Sequence, residues 1–352
     1  MDEIKTELIE INNQNLDGEL IYKAAEIIKT GGLVAFPTET VYGLGANGLN
    51  PEAVKKIFYA KGRPQDNPLI LHVYNSSQVI QLAEGISKEV EELMNSFWPG
   101  PLTILFKKSN LVPDIITSGL DTVAIRMPNN PIALKLIELS QTPIAAPSAN
   151  TSGKPSPTSA GHVIEDLWGK IDLVIDGGST GIGVESTVLD MSGKKPTILR
   201  PGGITLEDLK KIIPNVEEDI AIIQGNENIV PKSPGQKYRH YAPKAEMIVY
   251  NGELENMVDA INFQARKYIE EGKSVGIMAT DETIDEYNTE IVVSLGNRKE
   301  KHTIAHNLFN TIRLLDNKGV DIILAEGVEP TEIGSAIMNR LHKAAAGRII
   351  NV

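Results

Sequence analysis

Apolar positions recur at helical spacing over residues 19–29, where Leu20, Ala24, Ile27 and Ile28 share a face, and Gly31-Gly32 stops the run. The next four residues, Leu33-Val34-Ala35-Phe36, are continuously apolar and end at Pro37, the profile of a short buried strand. Pro51 suits the first turn of a helix that runs to residue 60. The same reading predicts strands at 69–74, 102–106, 122–127, 144–146, 173–176, 186–190 and 197–200. It predicts helices at 88–97, 131–140, 159–168 and 206–213. Strands come in groups instead of alternating with helices, which favours a twisted mixed sheet. After residue 243 the rhythm becomes regular. Strands at 247–250, 275–279, 291–295 and 322–326 alternate with helices at 254–272, 302–318 and 331–346. That is the pattern of a small, open, mainly parallel, Rossmann-like sheet with helices on both faces. The expected organisation is α/β throughout, with a first domain over 1–213, a linker over 214–243 and a second domain over 244–352.

Composition narrows the function. Hydrophobic residues make up 41% and charged residues 23%, enough apolar material for two cores. The 46 acidic side chains outnumber the 34 basic ones, a formal charge of -12. General capture of nucleic-acid phosphate runs on clustered Lys and Arg, so only a localised basic pocket fits this balance. Cysteine is absent, which removes disulfides, thiolate nucleophiles and Cys-ligated zinc together. No apolar run reaches the roughly 18 residues of a spanning helix, and the start MDEIKTELIE lacks a signal-peptide pattern. A cytoplasmic protein with no membrane association is expected.

Arginine usage gives the sharper signal. Residues 1–242 contain 18 Lys but 4 Arg: Arg63, Arg126, Arg200 and Arg239. Arg63 follows a helix end in Lys61-Gly62-Arg63-Pro64, Arg126 sits inside the apolar strand at 122–127, and Arg200 ends a strand beside Pro201-Gly202. A guanidinium so placed suits bidentate capture of phosphate or carboxylate. One such Arg alone reads better as a structural ion pair, whereas three near Gly/Pro/Ser turns point to an anion site. Ser148 and Asn150 stand just past the apolar strand at 144–146, where binding loops of α/β sheets begin. The Gly43-Leu44-Gly45-Ala46-Asn47-Gly48 segment spells a dinucleotide fingerprint, but it is separated from the preceding strand and Pro51 starts the helix only after it. The fingerprint is therefore a coincidence, and no phosphate-binding P-loop sequence is present. In the linker, Ser233-Pro234-Gly235 has turn chemistry, and Lys237-Tyr238-Arg239-His240-Tyr241 is too rich in cations and rings for a mere tether.

Several blocks together carry a resemblance: Pro37-Thr38-Glu39-Thr40-Val41-Tyr42-Gly43-Leu44, Lys61-Gly62-Arg63-Pro64, Asn67-Pro68-Leu69, Ser148-Ala149-Asn150 and Glu185-Ser186-Thr187. In order and spacing they resemble the threonylcarbamoyl-AMP synthases, and the linker and trailing α/β region resemble the long, two-domain form. The resemblance implies an N-terminal YrdC-like domain with a positively charged concave pocket. It implies a nucleotidyltransferase that condenses L-threonine, bicarbonate and ATP, with Mg²⁺, into threonylcarbamoyl-AMP and pyrophosphate. The product would pass to a separate transferase that modifies an adenosine of tRNA, with no direct tRNA binding expected here. Carried over residue by residue, Lys61, Arg63 and Arg200 face phosphate, with Lys61, Arg63, Ser148 and Asn150 at the catalytic centre. Asn67, Thr122, Ser148, Asn150 and Ser156 bind the nucleotide, and His240 and Tyr241 reach over it from the linker. Thr40, His72, Arg126, the backbone of Ala146 and Ser186 hold threonine. No protein ligand to a metal is implied. Competing readings are a carbamoyl-transferring hydrogenase maturation factor, disfavoured by the missing cysteines; an RNA-binding protein, disfavoured by net charges of -7 before and -5 after residue 242; and a nucleotide sensor in the second domain, which its fold permits without implying.

Overall fold

A computed structural model of the chain describes residues 4–219 and 240–352. The described residues divide into two units, one of residues 4–152 and 156–219, the other of residues 153–155 and 240–352. Lys237, Tyr238, Arg239 and the Ser233-Pro234-Gly235 turn lie outside them.

In the first unit the strands are β1 (Glu7–Glu10), β2 (Val34–Phe36), β3 (Gly43–Asn47), β4 (Ile70–His72), β5 (Ala83–Glu84), β6 (Leu102–Lys108), β7 (Thr122–Arg126), β8 (Ile144–Ala145), β9 (Leu173–Asp176), β10 (Thr187–Asp190), β11 (Thr197–Arg200) and β12 (Glu217–Glu218). Among the described residues they form one sheet in the order β1-β9-β2-β3-β8-β4-β7-β6-β10-β11-β12, with β5 on β6. Parallel pairs such as β4·β7 and β6·β10 alternate with antiparallel pairs such as β6·β7 and β3·β8, the mixed sheet expected from the grouping of strands.

Local signals set the helices. Asp17 accepts from the N–H groups of Glu19 and Leu20 to start Gly18–Lys29, and Gly31 turns the chain away with φ 82°. Asn50 caps Pro51–Lys61 with Pro at the first turn, and Gly62 closes it in the left-handed conformation. Glu217–Glu218, in the segment expected to be linker, still pairs with β11, and Val216 is buried in the core, so the first unit runs further than its expected boundary at 213.

Two cores lie on opposite faces of this sheet. Helices Pro51–Lys61, Lys88–Phe97 and Ala160–Leu167 bury Val54, Ile57, Leu93 and Val163 against Leu71, Ile104, Ile125 and Leu189 on one face. On the other, Gly18–Lys29 and Pro131–Ser140 pack Ile21, Ile28, Ile132 and Leu136 onto Val34, Phe36, Ile144 and Ile175. Those two helices cover only the β1-to-β8 end. Beyond β8 that second face carries a small apolar cluster of Ile70, Leu105, Ala124, Val188 and Leu199.

The second unit has β13 (Glu246–Asn251), β14 (Val275–Ala279), β15 (Ile291–Ser294), β16 (Ile322–Glu326) and β17 (Ile349–Asn351) in the order β15-β14-β16-β13-β17. The described pairs in this sheet are all parallel. Helix Leu254–Glu270 packs Met257 and Ile261 on one face with Ile277 and Leu324. On the other, a side chain at Gly276 would meet Leu315 of helix Lys301–Asn317. The order differs from the 3-2-1-4-5 of a dinucleotide fold, because the fourth strand is inserted between the second and the first. Among the described residues no helix is long and apolar enough to cross a membrane.

Candidate active site

Strand alternation assembles the site. Leu71, Ile104, Val123 and Ile125 point into the first core, so their neighbours point to the opposite face. Register sets His72 beside Arg126 across β4·β7 and Thr103 beside Arg126 across β6·β7. Ser186 leads into β10, which lies parallel to β6. Polar residues thus border the buried apolar cluster on the part of the sheet beyond the two covering helices.

Arg126 is 4% exposed and anchors this ring. Its Nε donates to Gly100 O at 3.2 Å and its Nη1 to Thr40 Oγ1 at 2.9 Å. Its Nη2 lies 2.7 Å from the Glu39 carboxylate as an ion pair, without hydrogen-bond alignment. Thr40 and Glu39 arrive on the loop between β2 and β3. Thr38 Oγ1 braces that loop by donating to Val41 O at 2.7 Å and sits 2.8 Å from Thr40 Oγ1. The backbone N–H groups of Ile182 and Gly183 donate to Glu39 O and Thr40 O. Tyr42 OH holds the facing loop through Gly178 O at 2.7 Å, and burial pushes its phenol well above the usual range. Burial, then the Arg126 charge, pulls the His72 imidazole down to about 3, so His72 is neutral at physiological pH.

Arg200 and Ser186 form a second anchor. Arg200 Nε donates to Ser186 O at 3.0 Å and Nη2 to Ser186 Oγ at 3.1 Å, while Thr103 Oγ1 stands 2.8 Å from the same hydroxyl. Gly202 permits this, since a Cβ there would come within 2.4 Å of Glu185 O and the Ser186 carbonyl carbon. Ala146 N–H is already given to Ile70 O, so its carbonyl is the backbone group it can offer a ligand.

The nucleotide-side residues cluster around the turn after β8. Lys61, 2% exposed at the end of its helix, donates from Nζ to Ser148 O at 2.5 Å and Asn150 O at 2.6 Å. The carbonyl-rich C-terminus of the helix stabilises a cation there. Ser148 Oγ donates to Asn150 Oδ1 at 2.6 Å, and Ala149 N–H donates to Tyr42 O, pinning the turn to the start of β3. Arg63 Nη2 donates to Asn67 O and Pro68 O at 3.2 and 3.3 Å. Asn67 is 1% exposed, and its Oδ1 accepts no hydrogen bond among the described residues, an acceptor open to a ligand donor. Thr122 begins β7, two residues before the partner of Ile70. Ser156 Oγ donates to Glu185 Oε1 at 2.5 Å.

Thr40, His72, Arg126, Ser186 and Arg200 therefore share one sheet face, and Lys61, Ser148 and Asn150 form one bonded group, as do Arg63 and Asn67. His240 and Tyr241 belong to the second unit, where Tyr241 is 4% exposed, stacks on Phe309 at 5.1 Å and lies 5.8 Å from the Arg340 guanidinium. Three participants escape the sequence reading. Glu39 and Glu185 are inside quoted blocks, but acids are too common here for one to stand out; Thr103 shows only as a polar residue among apolar strand neighbours. Among the described residues no group of three or more His, Asp or Glu side chains is spaced to hold a metal ion.

Comparison with known proteins matches residues 26–202 to the Sua5/YciO/YrdC family model, described as telomere recombination. Residues 204–346 match the model described as threonylcarbamoyl-AMP synthase, C-terminal domain. The chain is 55% identical over 329 residues to the threonylcarbamoyl-AMP synthase of Pyrococcus abyssi, covering 94% of this chain and 95% of that one. It is 48% identical over 331 residues to the threonylcarbamoyl-AMP synthase of Bacillus subtilis, covering 94% of each. The crystal structure of P. abyssi Sua5 complexed with L-threonine aligns with TM-score 0.94 at 52% identity, over 98% of this chain and 99% of that one.

Proposed function

The chain belongs to the Sua5/YciO/YrdC family in its two-domain, threonylcarbamoyl-AMP synthase form, and on that premise we propose that it condenses L-threonine, bicarbonate and ATP into threonylcarbamoyl-AMP and pyrophosphate. It is an enzyme, an ATP-using adenylyl-transferase. The observation that carries the finer reading is the convergence of two scarce arginines. Arg126 and Arg200 reach the same sheet face from β7 and β11, each buried and fixed through a hydroxyl, Thr40 or Ser186.

The reaction needs placement and charge more than a protein nucleophile. Threonine's nitrogen takes up the carbon of bicarbonate, and the resulting carbamate oxygen attacks the α-phosphorus as pyrophosphate leaves. Arg126 is the partner for threonine's carboxylate. Neutral His72 serves as a hydrogen-bonding wall that adds no second charge beside Arg126. Ser186, with Thr40 and the Ala146 carbonyl, completes the amino-acid pocket. Lys61 fixes the Ser148–Asn150 turn from below while adding positive potential under the phosphates, and Arg63 and Arg200 add charge from either side. Asn67, Thr122, Ser148, Asn150 and Ser156 offer the nucleotide neutral hydrogen bonds. Mg²⁺ enters as part of the nucleotide substrate. The adenylate then goes to a separate cytoplasmic transferase acting on tRNA, so tRNA is the recipient of the product and not a ligand of this chain.

Pyrophosphate release from MgATP, with threonine and bicarbonate omitted in turn, tests this. Each omission is expected to reduce release to background. Release that ignores threonine refutes the reading.

A further inference from the structure

Glu39 stands out because its surroundings leave it incomplete. Its side chain is 12% exposed and lies 2.7 Å from Arg126 Nη2, yet neither carboxylate oxygen accepts a hydrogen bond among the described residues. A buried carboxylate ordinarily collects several donors, because each unfilled lone pair retains the cost of leaving water. The loop is not free to turn Glu39 away: Ile182 N–H holds its backbone carbonyl at 2.8 Å, and neighbouring Thr40 is fully buried and bonded to Arg126. Among the described residues nothing supplies the missing donor.

The ligand proposed above has such a donor. An amino acid is a zwitterion, so a site that selects it needs a fixed charge of each sign. Arg126 alone would accept any carboxylic acid; Arg126 with Glu39 accepts a carboxylate and an ammonium together. Resting on the threonylcarbamoyl-AMP synthase reading, we infer that Glu39 is the counter-ion of the substrate's α-ammonium and the acceptor of its proton as the carbamate forms. In that step the Glu39 carboxylate first takes one ammonium proton, which frees the nitrogen's electron pair to make the C–N bond to bicarbonate carbon. The bicarbonate hydroxyl then leaves as water with a second nitrogen proton. One ammonium, one bicarbonate and one carboxylate become one carbamate anion, one water and one carboxylic acid, with atoms and charge in balance. The carbamate no longer presents a cation to Glu39, so the attraction that held the nitrogen is gone once its chemistry is done.

The test uses the full chain and calorimetric titration with L-threonine, with 3-hydroxybutanoate, which has the carboxylate and hydroxyl but no ammonium, and with MgATP. Wild type is expected to bind threonine at least about tenfold more tightly than 3-hydroxybutanoate. E39Q, similar in shape and uncharged, is expected to lose most of that preference while binding MgATP within about twofold of wild type. Glu39→Asp keeps the charge and is expected to keep the preference, which preserves the test if E39Q does not fold. In the pyrophosphate assay E39Q is expected to show both a raised KM for threonine and a kcat lowered by about tenfold or more, as loss of a proton acceptor requires. An unchanged preference in E39Q, or one lost equally in E39D, overturns the inference. Absence of threonine-dependent release in wild type instead overturns the reading beneath it, and leaves the binding preference to be judged on its own.

Discussion

Replacing Arg126 by Met probes a buried ion pair of the first unit. Met fills similar length without charge. The substitution removes donors from Gly100 O and Thr40 Oγ1 and leaves the Glu39 carboxylate with no counter-ion. Breaking a buried pair by deleting one partner costs about 3–5 kcal/mol, most of it the penalty of the orphaned charge and not the lost attraction. For a unit of this size each kcal/mol lowers the melting temperature by about 2–4 °C, so Arg126→Met is expected to melt about 6–20 °C below wild type. The double variant Glu39→Gln with Arg126→Met carries no orphaned charge and is expected to recover at least about half of that loss. Thermal unfolding of wild type, both single variants and the double variant at neutral pH completes the cycle, with a coupling of about 2 kcal/mol or more expected. Additive losses, with no coupling, would refute the claim that these two side chains compensate each other.

Two further perturbations read other parts of the site. The His72 value of about 3 lies below the unfolded value of 6.5, so between those limits the unfolded chain binds the extra proton. Stability is then fully present above pH 6.5 and falls by up to about 1.4 kcal/mol for each unit below it. Urea midpoints of wild type and His72→Gln from pH 7 to pH 4 are expected to diverge by this slope, and parallel profiles would count against a buried neutral imidazole. Gly202→Ala places a Cβ 2.3 Å from Thr187 N and 2.4 Å from Glu185 O, both backbone atoms that cannot swing aside. It is expected to cost about 3 kcal/mol, the upper end for overpacking, and to reduce threonine-dependent pyrophosphate release more than MgATP affinity, because Ser186 shifts from Arg200. Equal loss of both would place Gly202 outside the amino-acid pocket.

How much of this was legible along the chain depends on how local each signal is. Continuous apolar runs mark Leu173–Asp176 and Val275–Ala279 at their full extent. The strand Gly43–Asn47 is invisible to such patterns because it is built from small residues, and the structure supplies the reason. A side chain at Gly45 would come within 2.8 Å of Phe36 and Ile144, so tight packing excludes the bulky residues that advertise a strand. Sheet order is likewise hidden, since Glu7 pairs with Leu173 through contacts no window contains. In the site, scarcity made Arg126 and Arg200 conspicuous, whereas Glu39 is one acid among 46 and acquires meaning only from the guanidinium beside it. Lys61 shows the limit of reading a charge as a contact. Its ammonium points at the carbonyls of Ser148 and Asn150, so its part in shaping the turn is as direct as its electrostatic one.

The second unit shows why a Rossmann-like rhythm does not by itself give a nucleotide site. In an open parallel sheet the ligand crevice lies at the carboxyl ends of adjacent strands from which the chain departs in opposite directions. Here those strands are β14, which leads outward to β15, and β16, which leads past β13 to β17. At that point Glu326, fully buried at the end of β16, accepts from Thr280 Oγ1 at 2.8 Å, Tyr287 OH at 2.6 Å, Arg298 Nη2 at 2.7 Å and Thr283 Oγ1. Arg298, the cation best placed to meet a phosphate, turns its Nε to Thr280 and its Nη2 to Glu326 and Gly327 O. A phosphate entering here would meet a carboxylate in place of the free N–H groups of a glycine-rich turn. Gly252, after β13, offers no such turn either, because its α-carbon packs against the chain at Val352. This hydrogen-bonded network occupies the switch point of the second sheet, and it argues against reading the unit as a nucleotide sensor.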